Sequence, residues 1–284
     1  MNYIRRNRLW DQIFKFWGIF CTLLGLVLLG IFIGSILVDG VQRINWDFIT
    51  NLPSRRAEDS GIYTALMGSV WVLVLTTIIA LPVGIGAAIY LEEYAKKNKL
   101  SSILEVNISN LAGVPSVIYG LLGLEIFVRV LQMGSSVLAG SFTLALLILP
   151  IVIVSTREAI KAVPQSIRDA SYAMGASKWQ TVSMQLLPAS LGGIMTGVIL
   201  ALSRAVGETA PLIVIGALAY VPFAPSSPMD DFSVLPIQVF NWISRPQQGF
   251  EINAAAGIIV LLSITFVMNG IAVYLRNRWQ KKLK

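Results

Sequence analysis

Six apolar runs, from 18 to 28 residues long, decide what this chain can fold into, because about twenty residues cross the hydrocarbon core of a bilayer. They cover roughly residues 16–38, 63–90, 104–131, 137–154, 191–218 and 254–275. No water inside lipid can satisfy backbone N–H and C=O groups, so each run has to close its own hydrogen bonds as a helix. Composition agrees. Charged residues make up 13% of 284 positions, about half the share that a soluble domain carries. The expected fold class is all-α and integral to the membrane, with six transmembrane helices.

Several runs carry breakers. Pro82, Gly84 and Gly86 fall inside the second, and a proline that removes a backbone donor predicts a kink near Leu81. Gly113, Val114 and Pro115 predict a break in the third. The first holds Gly30 and Gly34 at the spacing of close helix packing, although Gly is common in membrane helices without that role. That run follows Arg5, Arg6, Arg8 and Lys15, as a secretory leader would. It is longer than a leader's apolar region and lacks a small-residue cleavage pattern, so an uncleaved first helix is expected.

Six spans place both termini on one side, and the basic residues say which. One side collects Arg5, Arg6, Arg8, Lys15, Lys96, Lys97, Lys99, Arg157, Lys161, Arg168, Lys178, Arg276, Arg278, Lys281, Lys282 and Lys284. The other holds only Arg43, Arg55, Arg56 and Arg245. The positive-inside rule makes the first side cytoplasmic, both termini included. On the opposite side, residues 220–253 are rich in proline, and 235–243 are apolar enough to dip into the interface with Trp242 as an anchor.

The residue inventory excludes whole classes of chemistry. Histidine is absent and Cys21 is the only cysteine, which removes disulfides within the chain, His-based metal sites and a histidine general base. Cys21 reads as a small apolar filler. A net charge of +7 is spread along span ends and not over a soluble domain, so no nucleic-acid partner is expected. An integral-membrane enzyme would have no nucleophile and base to work with.

Residues 157–188 are polar and basic between apolar neighbours. Gln165 to Met174 reads as a helix that Gly175 ends. Ser177 is placed to cap a second helix through Trp179, Val182 and Met184 toward Leu187 and Pro188. Two short helices at a small-residue elbow make a knob suited to receiving mechanical work; the plainer alternative is an ordinary helical loop. Within the fifth run, Arg204 and Glu208 stand four residues apart on one expected helical face. A charge at that depth costs at least about 2.5 kcal/mol. The pair either lines an ion path or forms a neutral bridge that holds helices in register. Glu125 and Arg129 repeat the spacing near the outer end of the third run, where they line the same path or snorkel to the interface.

The knob resembles the EAA loop of importer-type ABC permeases. Asp169, Ala170 and Ser171, then Gly175, then Leu187 and Pro188 follow that pattern, with Asp for Glu, Ser for the second Ala and Gln185 for Ile as departures. Similarity extends over most of the chain to the phosphate branch of these permeases, on its PstA-like side. It is carried by residues 61–68, 87–95, 110–124 and 203–212. The resemblance implies a type I ABC importer (MetI-like) fold in a bacterial inner membrane and a permease role in phosphate transport. It also implies that Asp169, Ala170, Gly175, Leu187 and Pro188 couple to an ATPase. The implied partners are a PstC-like second permease subunit, a dimer of PstB-like ATP-binding subunits, a PstS-like external phosphate-binding protein and the lipid bilayer.

The chain has no phosphate-binding loop of the Gly-x-x-x-x-Gly-Lys type. No cofactor is expected in it, ATP and Mg belonging to a partner subunit, and it is not expected to be an enzyme. Three regions are expected: 1–60 as N-terminus, first helix and external loop, 61–276 as permease domain, and 277–284 as a basic tail. Other readings are a permease for sulfate or molybdate, or a gradient-driven transporter, which would predict an inverted repeat that the sequence lacks.

Overall fold

The computed structural model describes residues 2–96, 98–217 and 220–282. Among them five helices are long and apolar enough to cross a membrane, and a sharply bent helix pair brings the number to six if the pair counts as one span. The first, α1 (Asn2–Gly40), leads through a turn at Val41–Arg43 into the short α2 (Trp46–Thr50). The Asn45 side chain caps α2 by accepting the Phe48 N–H. α3 (Tyr63–Ile89) runs through Pro82 as one helix and ends in a wide π turn, Tyr90–Tyr94.

The third span is two helices. α4 (Lys99–Leu111) and α5 (Ser116–Gly123), with its π extension Leu124–Val130, meet at 103°. Pro115 explains the corner, because its ring holds the preceding residue out of helical geometry and it has no N–H to continue the ladder. The Tyr119 hydroxyl donates to the Leu111 carbonyl across the bend at 2.8 Å, satisfying one of α4's terminal acceptors.

α6 (Val137–Lys161) is the centre of the molecule, between α3 and α9 (Leu187–Gly207). Lipid provides no hydrophobic drive between helices, so close approach of small residues does the work. Ala80, Ala145, Ala201 and Ala205 pack with Ile148 and Val152 in one buried cluster. Gly197 of α9 lies so close to Ser155 that a Cβ there has no room. The helix extends past 154, its expected end, so Arg157 is a buried residue of its last turns and not the start of a loop. The reason lies in its neighbours: Arg157 finds carboxylates on two other helices.

Two short helices follow, α7 (Gln165–Ala173) and α8 (Lys178–Thr181); a π turn, Val182–Leu186, joins α8 to α9. Beyond α9 come α10 (Ala210–Ile215), α11 (Leu235–Ile243) and α12 (Gln248–Lys282). The expected fifth span ends early, at Gly207, and its expected limit at Leu218 lies outside the described residues.

The end of α6 opposite α7 is closed by the chain around 228–242. Val137 N–H donates to the Asp230 carbonyl and Leu138 N–H to that of Pro228. The Asp230 carboxylate accepts the N–H groups of Ser226 and Ser227 and the Ser226 hydroxyl, which hold its carboxyl below the usual carboxylate range. Trp242 is fully buried, its ring 5.8 Å from that of Phe48 and its neighbours Phe250 and Ala254. The expected interfacial anchor is therefore a core residue, because α11 lays its apolar face on α12 instead of on lipid. Gly30 and Gly34 meet nothing within 4 Å, so their spacing serves no packing within this chain.

Candidate functional site

Arg204 sits in the last turn of α9, and its Nε lies 3.0 Å from Glu208 Oε1. The two are not on one helix, as their spacing predicted. Glu208 has extended backbone (φ −73°, ψ 123°) in a break between α9 and α10. Pro211 contributes to the break, because it lacks the N–H that the Gly207 carbonyl would accept, and it sits instead in the first turn of α10. The ion pair thus spans the broken point of a membrane helix. Arg204 is 38% exposed and Glu208 15%, so the cation faces open space while the carboxylate backs it. The buried Tyr119 of α5 packs in the cluster that holds Ala201 and Ala205, on either side of Arg204 in sequence. Glu125 and Arg129 also pair, at 3.0 Å, in the π extension of α5. Their side chains are 60% and 65% exposed, and neither bonds to Arg204 or Glu208.

The elbow has the local geometry that its sequence predicts, but the second helix is not a separate short one: from Lys178 it continues through the π turn and α9 to Gly207. α7 ends as Gly175 turns to φ +81°, a left-handed conformation that costs other residues about 1–2 kcal/mol. Ser177 Oγ accepts the Gln180 N–H, and the Gln180 side chain accepts the Ser177 N–H, a reciprocal capping box. Ser171 and Thr181 share a hydroxyl hydrogen bond at 2.9 Å that ties α7 to α8. Asp169, Ala170 and Gly175 are exposed; Leu187 and Pro188 are half-buried at the start of α9. Met174 is 88% exposed, with Trp179 and Tyr172 also outward.

A third feature escaped the sequence reading. Arg157 NH2 meets Glu105 of α4 at 2.7 Å and Glu92 at 3.3 Å. Arg168 of α7 donates Nε and NH2 to Glu93 Oε1, and it also donates to the carbonyls of Ile160 and Val163. Both arginines are buried. Sequence had assigned them only as basic residues that set orientation. The available signal was Glu92-Glu93, two adjacent acids at the basic end of a span.

Comparison with known proteins gives these features a context. Residues 80–281 match the family described as binding-protein-dependent transport system inner membrane component. A probable ABC transporter permease, YqgI of Bacillus subtilis, is 31% identical over 94% of this chain and 94% of its own length. The phosphate transport system permease protein PstA of Yersinia pestis is 33% identical over 84% of this chain and 80% of its own length. Among solved structures, a bacterial alginate ABC transporter in complex with its pentasaccharide-bound periplasmic protein superposes with a TM-score of 0.68 at 13% identity, over 95% of this chain and 98% of that one. An inward-facing MetNI methionine transporter reaches 0.62 at 18%, over 77% and 97%. The two structures share the fold alone. The family match covers most of the chain, and the chain belongs to the inner-membrane permease components of binding-protein-dependent ABC importers, multi-span helical proteins of the bacterial inner membrane.

Proposed function

We propose that this chain forms half of the translocation path of an ATP-driven phosphate importer, with both termini and the α7–α8 knob in the cytoplasm. The observation that carries the reading is the Arg204–Glu208 pair at the break between α9 and α10. A guanidinium fork at that depth attracts a tetrahedral oxyanion. Glu208 neutralises it when the path is empty, which keeps the site from trapping the anion. A partly protonated phosphate can also donate to the carboxylate, which sulfate cannot do. The similarity to phosphate permease proteins over most of the chain supports phosphate as the substrate. The relatives YqgI and YqgH carry no substrate in their names, so sulfate or molybdate is the second reading. Glu125 and Arg129 extend the path outward in this account.

The implied assembly is a PstC-like second permease subunit, a PstB-like ATPase dimer seated on Asp169, Ala170, Gly175, Leu187 and Pro188, and a PstS-like external binding protein. ATP and Mg stay in the ATPase, and this chain itself is no enzyme. Replacing Arg204 with Gln is expected to abolish phosphate uptake while the complex still purifies intact; normal uptake by Arg204→Gln would remove Arg204 from the path. Orientation has its own check. With Cys21→Ser as background, Arg56→Cys should react with an impermeant thiol reagent from outside the cell, and Lys178→Cys only after permeabilisation. The opposite pattern would invert the topology.

A further inference from the structure

Ion pairs link the knob to α4, and a hydrogen bond and a buried cluster lead on from α4 toward Arg204. Arg168 of α7 holds Glu93 at 2.8 Å. Its neighbour Glu92 is held by Arg157, and the same Arg157 nitrogen holds Glu105 of α4. From Leu111, at the far end of α4, the bond from Tyr119 crosses the 103° corner. Tyr119 belongs to the same buried cluster as Ala201 and Ala205, which flank Arg204.

α4 is the loosest part of this linkage. None of its described residues is buried. Clefts of about 440 Å³ and 400 Å³ open on either side of the Arg157–Glu105 contact. Arg157 is also under-used. It serves two carboxylates with one nitrogen, while its buried Nε has no partner among the described residues. A guanidinium prefers to close its fork on one carboxylate with two bonds. If α4 withdraws Glu105, Arg157 can recover the lost bond by closing on Glu92. The exchange keeps two bonds on Arg157 and releases the Glu105 carboxylate, already 40% exposed, to solvent. The π turn that carries Glu92 and Glu93 is a weak point in its helix, where such a shift costs least.

We propose that Arg157 is a coupling switch. It holds α4 to the bundle through Glu105 until a movement of α7, carried by Arg168 to Glu93, presents Glu92 to its free Nε. α4 then swings, and Tyr119 conveys the motion to the ground beside Arg204. Arg157 and Glu105 are positioning residues that touch no substrate. The inference rests on the proposal that the α7–α8 knob seats an ATPase.

Glu105→Gln keeps the side chain's shape and removes its charge. In the assembled complex in proteoliposomes, it should leave ATP hydrolysis within about twofold of wild type. Inorganic phosphate moved per ATP should fall about tenfold, and Glu105→Asp should restore most of it. In a Cys21→Ser background, thiol labelling of Ser102→Cys should accelerate severalfold when Glu105→Gln is added. Unchanged coupling and labelling would overturn the proposal. So would hydrolysis and uptake falling in equal proportion without faster labelling, since the pair would then be a structural brace. If the wild-type complex moves no phosphate, the import reading fails instead, and the labelling rates still decide whether Glu105 latches α4.

Discussion

Gly175 shows at a single residue how the sequence dictates the knob. Its φ of +81° lies where side chains are strained, and nothing lies within 4 Å of where a Cβ would sit. The cost of substitution is therefore backbone strain alone, about 1–2 kcal/mol for Gly175→Ala. That strain falls on the elbow, so about tenfold less ATPase is expected to co-purify with Gly175→Ala, and Gly175→Asn should recover part of it. Equal co-purification by both variants would mean that the elbow's angle is not read by the partner. Glycine at a helix end and serine before the next helix are local signals, and the sequence displayed both. Trp242 was the opposite case. Whether an aromatic faces lipid or a buried neighbour depends on what folds over it, and Phe48 comes from a helix nearly two hundred positions earlier in the sequence.

At the scale of elements, α6 is the post on which the others lean, and its contacts with α3 and α9 hold the bundle together. Gly197 occupies a position where α9 touches Ser155 of α6 with no space for a methyl group. Gly197→Val should separate the helices and cost about 1–3 kcal/mol, measured as a lower unfolding midpoint in mild detergent. Gly30→Val, on an open face of α1, should leave that midpoint unchanged. Apolar length located five of the expected spans, because the bilayer imposes it, and the third is the bent pair α4–α5. The corner at Gly113 to Pro115 was also legible, since proline acts locally. The break at Glu208 was not anticipated. Four-residue spacing promised one helical face, and the proline that contributes to the break, Pro211, stood three residues further on. The ion pairs of Arg157 and Arg168 were hidden for a related reason: span-end arginines usually report orientation, and only folding brings Glu92, Glu93 and Glu105 to them.

On the scale of the whole molecule, the account joins two sites at different depths of one helix bundle. In the proposed mechanism the knob of α7 and α8 receives a push, Arg168 and Arg157 pass it along, and Arg204 with Glu208 meets the ion. Each part is incomplete alone, which is what a subunit of a larger machine should look like. The family match covers residues 80–281, so it takes in the knob, the arginines and the ion pair together. The measurement that tests the central claim most directly is anion accumulation by proteoliposomes that hold this chain with its partner subunits and external binding protein. The account predicts uptake of radiolabelled phosphate that requires ATP, stops when ATP is withheld and leaves sulfate behind. Accumulation of phosphate without ATP, or of sulfate in preference to phosphate, would contradict it.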